Sequence, residues 1–183
     1  MNHKYHPLSQ IIHWLTAILV VIAFVLGPED VDELDNPSLD LGLQTHETLG
    51  LVVFGLTVFR VLWTLFTQPP TAVPMAASMR IVSKILQGSL YLLLIALPLT
   101  AILGTWLEGD ALSLLNHATI PTPFSTSENL GETLLDLHPT LADTLLILAG
   151  IHAAAALFHH FILKDLVLAT MLPAWLSKKS SDD

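Results

Sequence analysis

Four apolar runs, at about residues 8–26, 46–66, 85–107 and 139–163, leave this chain few ways to fold. Each comes near the roughly 20 residues that a helix needs to cross hydrocarbon. In that medium a segment must satisfy its own backbone N–H and C=O groups, which a helix does and a lone strand does not. The expectation is an all-α membrane protein, one domain over residues 1–183 built as a bundle of four transmembrane helices. Composition agrees: 13% of residues are charged and the mean hydropathy is +0.64, against a charged share of about 25% in soluble domains. With no cysteine, disulfides, thiolate-held metals or clusters, thioether-linked haem and thiol nucleophiles are all excluded. A net charge of −9 argues against nucleic acid as a partner.

The first run is longer than the apolar core of a signal peptide and meets Gly27-Pro28-Glu29-Asp30 without a small-x-small cleavage site, so it is expected to stay as a helix. An acidic loop over 28–44, a Pro-rich link over 67–79 and a longer acidic loop over 108–137 separate the spans. Gly27-Pro28 and Pro69-Pro70 end the first two, Pro139 is placed near the first turn of the fourth, and Pro98 is expected to kink the third.

An even number of spans puts both termini and the middle link on one side, and all seven basic residues fall there: Lys4, Arg60, Arg80, Lys84, Lys164, Lys178 and Lys179. The positive-inside rule makes that side cytoplasmic, in a bacterial inner membrane. The opposite loops and helix ends hold 13 of the 16 acids and no base; only Asp165, Asp182 and Asp183 lie inside.

Ionisable side chains at membrane depth are costly and face a bundle interior or a cofactor. His13 lies in the inner part of helix one, His46 and His138 at the outer starts of helices two and four, and His152 fourteen residues beyond His138. Fourteen residues rise about 21 Å and fall about 40° short of four turns, so the last two share one face at two depths. His152 can then meet His13, and His138 can meet His46, as two stacked pairs. Facing imidazoles in an apolar bundle suit haem iron; a histidine-lined metal transporter or purely structural histidines are the competing readings.

The residue four places after each of these histidines is small, namely Ala17, Gly50, Ala142 and Ala156, as a haem slot needs and as close helix packing also favours. Arg60, fourteen residues after His46, is positioned either for a haem propionate or for lipid phosphate. His159, with His160 and Lys164, ends helix four at the cytoplasmic boundary. That group could serve a quinone carbonyl as the candidate catalytic site or simply touch headgroups. His3, His6 and His117 are assigned no role.

Together these residues resemble the bacterial two-haem cytochrome b561 family over nearly the whole chain. The carriers are His13-Trp14, His46 with Gly50, Arg60 within Val58-Phe59-Arg60-Val61-Leu62, Tyr91 in the stretch leading to Pro98, and His138 with the stretch from Ile151 to His160. The resemblance implies two haem b groups held by His13, His152, His46 and His138, with Trp14, Gly50 and Arg60 beside them. It also implies electron exchange with ubiquinone near His159, and some relatives oxidise superoxide at the outer face. Two departures stand out. Lys84 and Gln87 occupy the start of helix three, where relatives often carry histidine, and the outer loops lack bases that would draw in an anion. A basic redox protein is thus as good a donor as superoxide. A haem-bearing anchor subunit of a dehydrogenase or hydrogenase is the alternative of the same architecture.

Overall fold

Two side chains start the first two helices. In the computed structural model, which describes residues 4–27, 39–71 and 73–173, helix α1 (Pro7–Leu26) opens with Pro7 at its first position and the His6 ring accepting the Leu8 N–H. Helix α2 (Leu41–Phe66) is capped by Asp40, whose carboxylate accepts the Leu43 N–H at 2.7 Å. Helix α3 (Ala77–Glu108) ends at Gly109, which adopts a left-handed φ of 98°. That geometry favours glycine. Helix α4 (Glu128–Phe158) passes into a π turn at His159–Leu163, closed by Lys164 at φ 52°, and a short helix α5 (Val167–Met171) follows. Glu29, Asp30, Asp32, Glu33, Asp35, Lys178, Lys179, Asp182, Asp183 and His3 lie outside the described residues.

Four helices, with the π turn extending the fourth, are long and apolar enough to cross a membrane. They extend past the apolar runs read from sequence: α2 begins at Leu41, α3 at Ala77 and α4 at Glu128. Polar turns can continue a helix beyond hydrocarbon, where hydropathy no longer reports it. Pro139 consequently sits inside α4 and not near its first turn, and α3 runs on through Pro98. The segment 108–137 is no simple loop. It contains an antiparallel hairpin, β1 (Leu112–Leu114) with β2 (Ala118–Ile120), pairing Leu112 with Ile120 and Leu114 with Ala118, and the first ten residues of α4.

Helix α1 packs on α2 and α3 on α4. The second pair approaches closely at two glycines: a Cβ on Gly131 would lie 2.6 Å from Glu108 Cγ and 3.0 Å from the Gly104 carbonyl oxygen. Among the described residues the buried hydrophobic side chains are Ile12, Leu43, Val53, Leu93, Leu112 and Leu145, while many apolar side chains point outward, as lipid-facing residues do. The hairpin is fastened to α2 because Glu47 accepts the Ser113 N–H and the Thr48 hydroxyl accepts the Leu115 N–H. At the other end α5 ties back to the start of the chain. Thr170 O accepts from Tyr5 N and Gln10 Nε2, and Met171 O accepts from Trp14 Nε1.

Candidate functional site

The four helices bring the chosen histidines together as two pairs. His13 of α1 and His152 of α4 have ring centres 6.3 Å apart and planes at 85°. His46 of α2 and His138 of α4 have ring centres 6.0 Å apart and planes at 76°. An imidazole nitrogen bonds a first-row metal at about 2.0–2.1 Å, and with about 1.1 Å from nitrogen to ring centre, two rings on opposite sides of one metal stand about 6.3 Å apart. Both pairs therefore have the spacing of two imidazoles sharing a single metal. Among the described residues no three His, Asp or Glu side chains gather as a metal cage.

Hydrogen bonding prepares the pair nearer the hairpin. His46 Nδ1 lies 2.7 Å from Ala23 O, and His138 Nδ1 lies 3.0 Å from Leu97 O and 3.3 Å from Thr100 Oγ1. A carbonyl only accepts, so each ring donates from Nδ1 and keeps the lone pair of Nε2 available to a metal. Gly27 permits this, since a Cβ there would stand 3.1 Å from the His46 ring.

The pair nearer the termini differs. Arg60 Nη1 lies 3.1 Å from His13 Nδ1, and guanidinium only donates, so His13 Nδ1 accepts. For His13 to hold a metal through Nε2, its proton would have to move to Nδ1, which would release Arg60 to meet an anion. Arg60 also stands over the Tyr91 ring, 5.4 Å from its centre. Nearby, the Tyr5 hydroxyl is pushed up by burial and by Tyr91, against the opposing pull of Arg60.

Of the remaining sequence candidates, Trp14 packs edge-on to His13, with ring centres 5.4 Å apart. Gly50 bears on the reason for the small residues, because a Cβ built there meets nothing within 4 Å. Close helix packing therefore does not explain it, and the same open space lies at Gly55, Gly88 and Gly150. His159 is half-buried and its Nδ1 lies 2.5 Å from Asp165 Oδ2. His160, Lys84, Gln87 and Lys164 are exposed.

A family model described as prokaryotic cytochrome b561 matches residues 4–174. The chain belongs to the prokaryotic cytochrome b561 family. It is 30% identical to cytochrome b561 homolog 2 of Escherichia coli strain K12, over 98% of this chain and 94% of that one. It is also 30% identical to the probable superoxide oxidase CybB of Yersinia pestis, over 94% and 98% of the two chains. A cytochrome b562 of Cereibacter sphaeroides is 27% identical, over 92% and 94%. As a b561-family protein the chain is a multi-pass bacterial membrane protein with b-type haem and an oxidoreductase or electron-transfer role.

Within this b561-family site, sequence reasoning missed Gly27, Glu47, Thr100 and Asp165. Gly27 reads in sequence only as a helix break, and Glu47 and Asp165 only as members of a charge count. Glu47 directly follows His46, and Asp165 comes six residues after His159. Those spacings were the available signal.

Proposed function

We propose that the chain carries electrons from a donor at the periplasmic face, through two haem b groups, to ubiquinone near the cytoplasmic face. The observation that supports this most is the pair of facing imidazole couples, 6.3 and 6.0 Å between ring centres. Their α4 members lie fourteen residues apart, a rise of about 21 Å along that helix. Such a rise fits within a hydrocarbon core of about 30 Å. His13 with His152 would hold one group, and His46 with His138 the other. Bound there, haem iron supplies reversible one-electron chemistry.

The chain's own residues supply the surroundings. The Ala23 and Leu97 carbonyls orient two of the rings. Arg60, on leaving His13, offers a forked donor to a propionate, and Gly50 leaves room beside His46. The placement of all seven basic residues supports a cytoplasmic position for both termini. His159 would then give protons to quinone at the cytoplasmic boundary, close below the His13–His152 pair.

For the donor, Glu108, Asp110, Glu128 and Glu132 line one cleft at the hairpin end, where charge favours a cationic redox protein over superoxide. The test is a reduced-minus-oxidised spectrum of purified protein with a haem count. Two low-spin b haems per chain are expected, with one lost in His152→Ala and the other in His138→Ala. Two full haems retained when both histidines are replaced would end this reading.

A further inference from the structure

At the end of α4 the helix loosens into a π turn and stops at Lys164 in a left-handed conformation, with the Asp165 N–H bonded back to the His159 carbonyl at 3.1 Å. This reversal puts an acid against a histidine of the preceding turn. Asp165 Oδ2 lies 2.5 Å from His159 Nδ1, and its other oxygen accepts the Val167 N–H at 3.0 Å, starting α5. One carboxylate therefore holds both the ring and the next helix. In an ordinary α-helix the residue six places on lies about 120° around the axis and nearly two turns along from His159, so the contact depends on the π turn and the left-handed residue.

We propose that Asp165 is a positioning residue for proton delivery by His159, a role that rests on the reading of His159 given above. An ionised carboxylate can only accept, so the His159 ring keeps a proton on Nδ1 in both its charged and neutral forms, and Nε2 is the nitrogen that exchanges. Reduction of a quinone consumes two electrons, which arrive from the outer donor through the haems, and two protons. In each proton step the Nε2–H bond breaks, an O–H bond forms on the quinone, and neutral imidazole remains with its Nδ1–H on Asp165. Nε2 is then reprotonated from the aqueous side before the second step. The mostly buried ring, with its side chain 13% exposed, needs such fixing because a free imidazole exchanges either nitrogen.

The test uses haem-loaded protein labelled with 15N-histidine, in the diamagnetic reduced state, together with stopped-flow reoxidation of the haems by a soluble ubiquinone. Asp165→Ser keeps a side-chain oxygen able to accept the Val167 N–H but does not reach His159. It is expected to shift the His159 ring away from the Nδ1-protonated form and to slow reoxidation roughly tenfold, with unchanged haem spectra. Asp165→Glu should recover part of the rate, and Asp165→Ser should add nothing on a His159→Ala background. A wild-type rate in Asp165→Ser beside a slowed His159→Ala overturns the proposal, as does an unchanged ring tautomer. Wild-type rates in both overturn the reading of His159 itself. Asp165→Thr, whose hydroxyl likewise can accept the Val167 N–H without reaching His159, serves if the serine variant loses haem.

Discussion

His46 donates from Nδ1 to the carbonyl oxygen of Ala23, 2.7 Å away on the neighbouring helix. That oxygen lies one turn from the end of α1 and also accepts the Gly27 N–H at 3.0 Å. The orientation of a ring in α2 is thus set by the last turn of α1, and the residue at that end decides how closely the two helices meet. Gly27 has no Cβ to intrude on the ring.

Gly27→Val is therefore expected to weaken the proposed haem site of His46 and His138 selectively. A Cβ 3.1 Å from the ring already forces a small displacement, and the added methyls enlarge it. Haem counting and redox titration should show the loss or shift of one haem, with the His13–His152 site unaffected. Equal damage to both sites would contradict the assignment of Gly27 to one of them.

The acidic hairpin end sets a second expectation. Reduction of the haems by a basic donor protein should slow as ionic strength rises, because screening over about 8 Å at physiological salt removes the attraction. Reduction by superoxide should change in the opposite sense. Stopped-flow traces at low and high salt measure both, and a basic donor that accelerates with salt would refute the electrostatic argument.

The crossing of α3 and α4 at Gly104 and Gly131 leaves no space for a side chain. Gly131→Ala places a Cβ 2.6 Å from Glu108 Cγ and 3.0 Å from backbone atoms of Glu108 and Gly104, so the helices must separate. We expect a loss of about 1–3 kcal/mol, read as a lower midpoint of thermal haem release in detergent. Gly55→Ala, where a Cβ meets nothing within 4 Å, is the neutral comparison.

Acid should loosen the join between the π turn and α5. Partial burial works to raise the Asp165 carboxyl, but the hydrogen bonds from His159 and Val167, with the His159 charge, outweigh it and hold the group below the usual range. A depressed value means stabilisation that is full above the unfolded value of about 3.9 and is lost as pH falls through the lower folded value. Amide protection at Val167 should fall across that window, and in Asp165→Ala, which keeps neither contact, it should be low and flat.

The four spans were legible because hydrocarbon imposes a length, and the two ring pairs because histidines at membrane depth are few and helical rise is regular. The start of α4 was not legible. Glu128 to Asp136 is polar, and Pro139 looks like a helix start although here it lies within one. The hairpin is hidden in the sequence because three-residue strands carry little pattern, and its anchors are two adjacent polar residues of α2, Glu47 and Thr48. The contact between Asp165 and His159 was hidden by the arithmetic that found the pairs, since 100° per residue does not hold through a π turn. Spacing makes Arg60 an anion partner, yet in this structure it donates to His13, a choice between two acceptors that spacing cannot make.

Both imidazole couples take their second ring from α4, the last of the four long helices to leave the ribosome. A nascent chain that has made only α1 to α3 carries His13 and His46 with nothing opposite them, and Glu47 has no hairpin to hold until residue 113 is made. On the proposed ligand set, haem loading then waits on the synthesis of α4, because neither couple closes before His138 and His152 are made. A product that stopped before α4 would, on the same reading, hold no imidazole couple with which to sequester the prosthetic group.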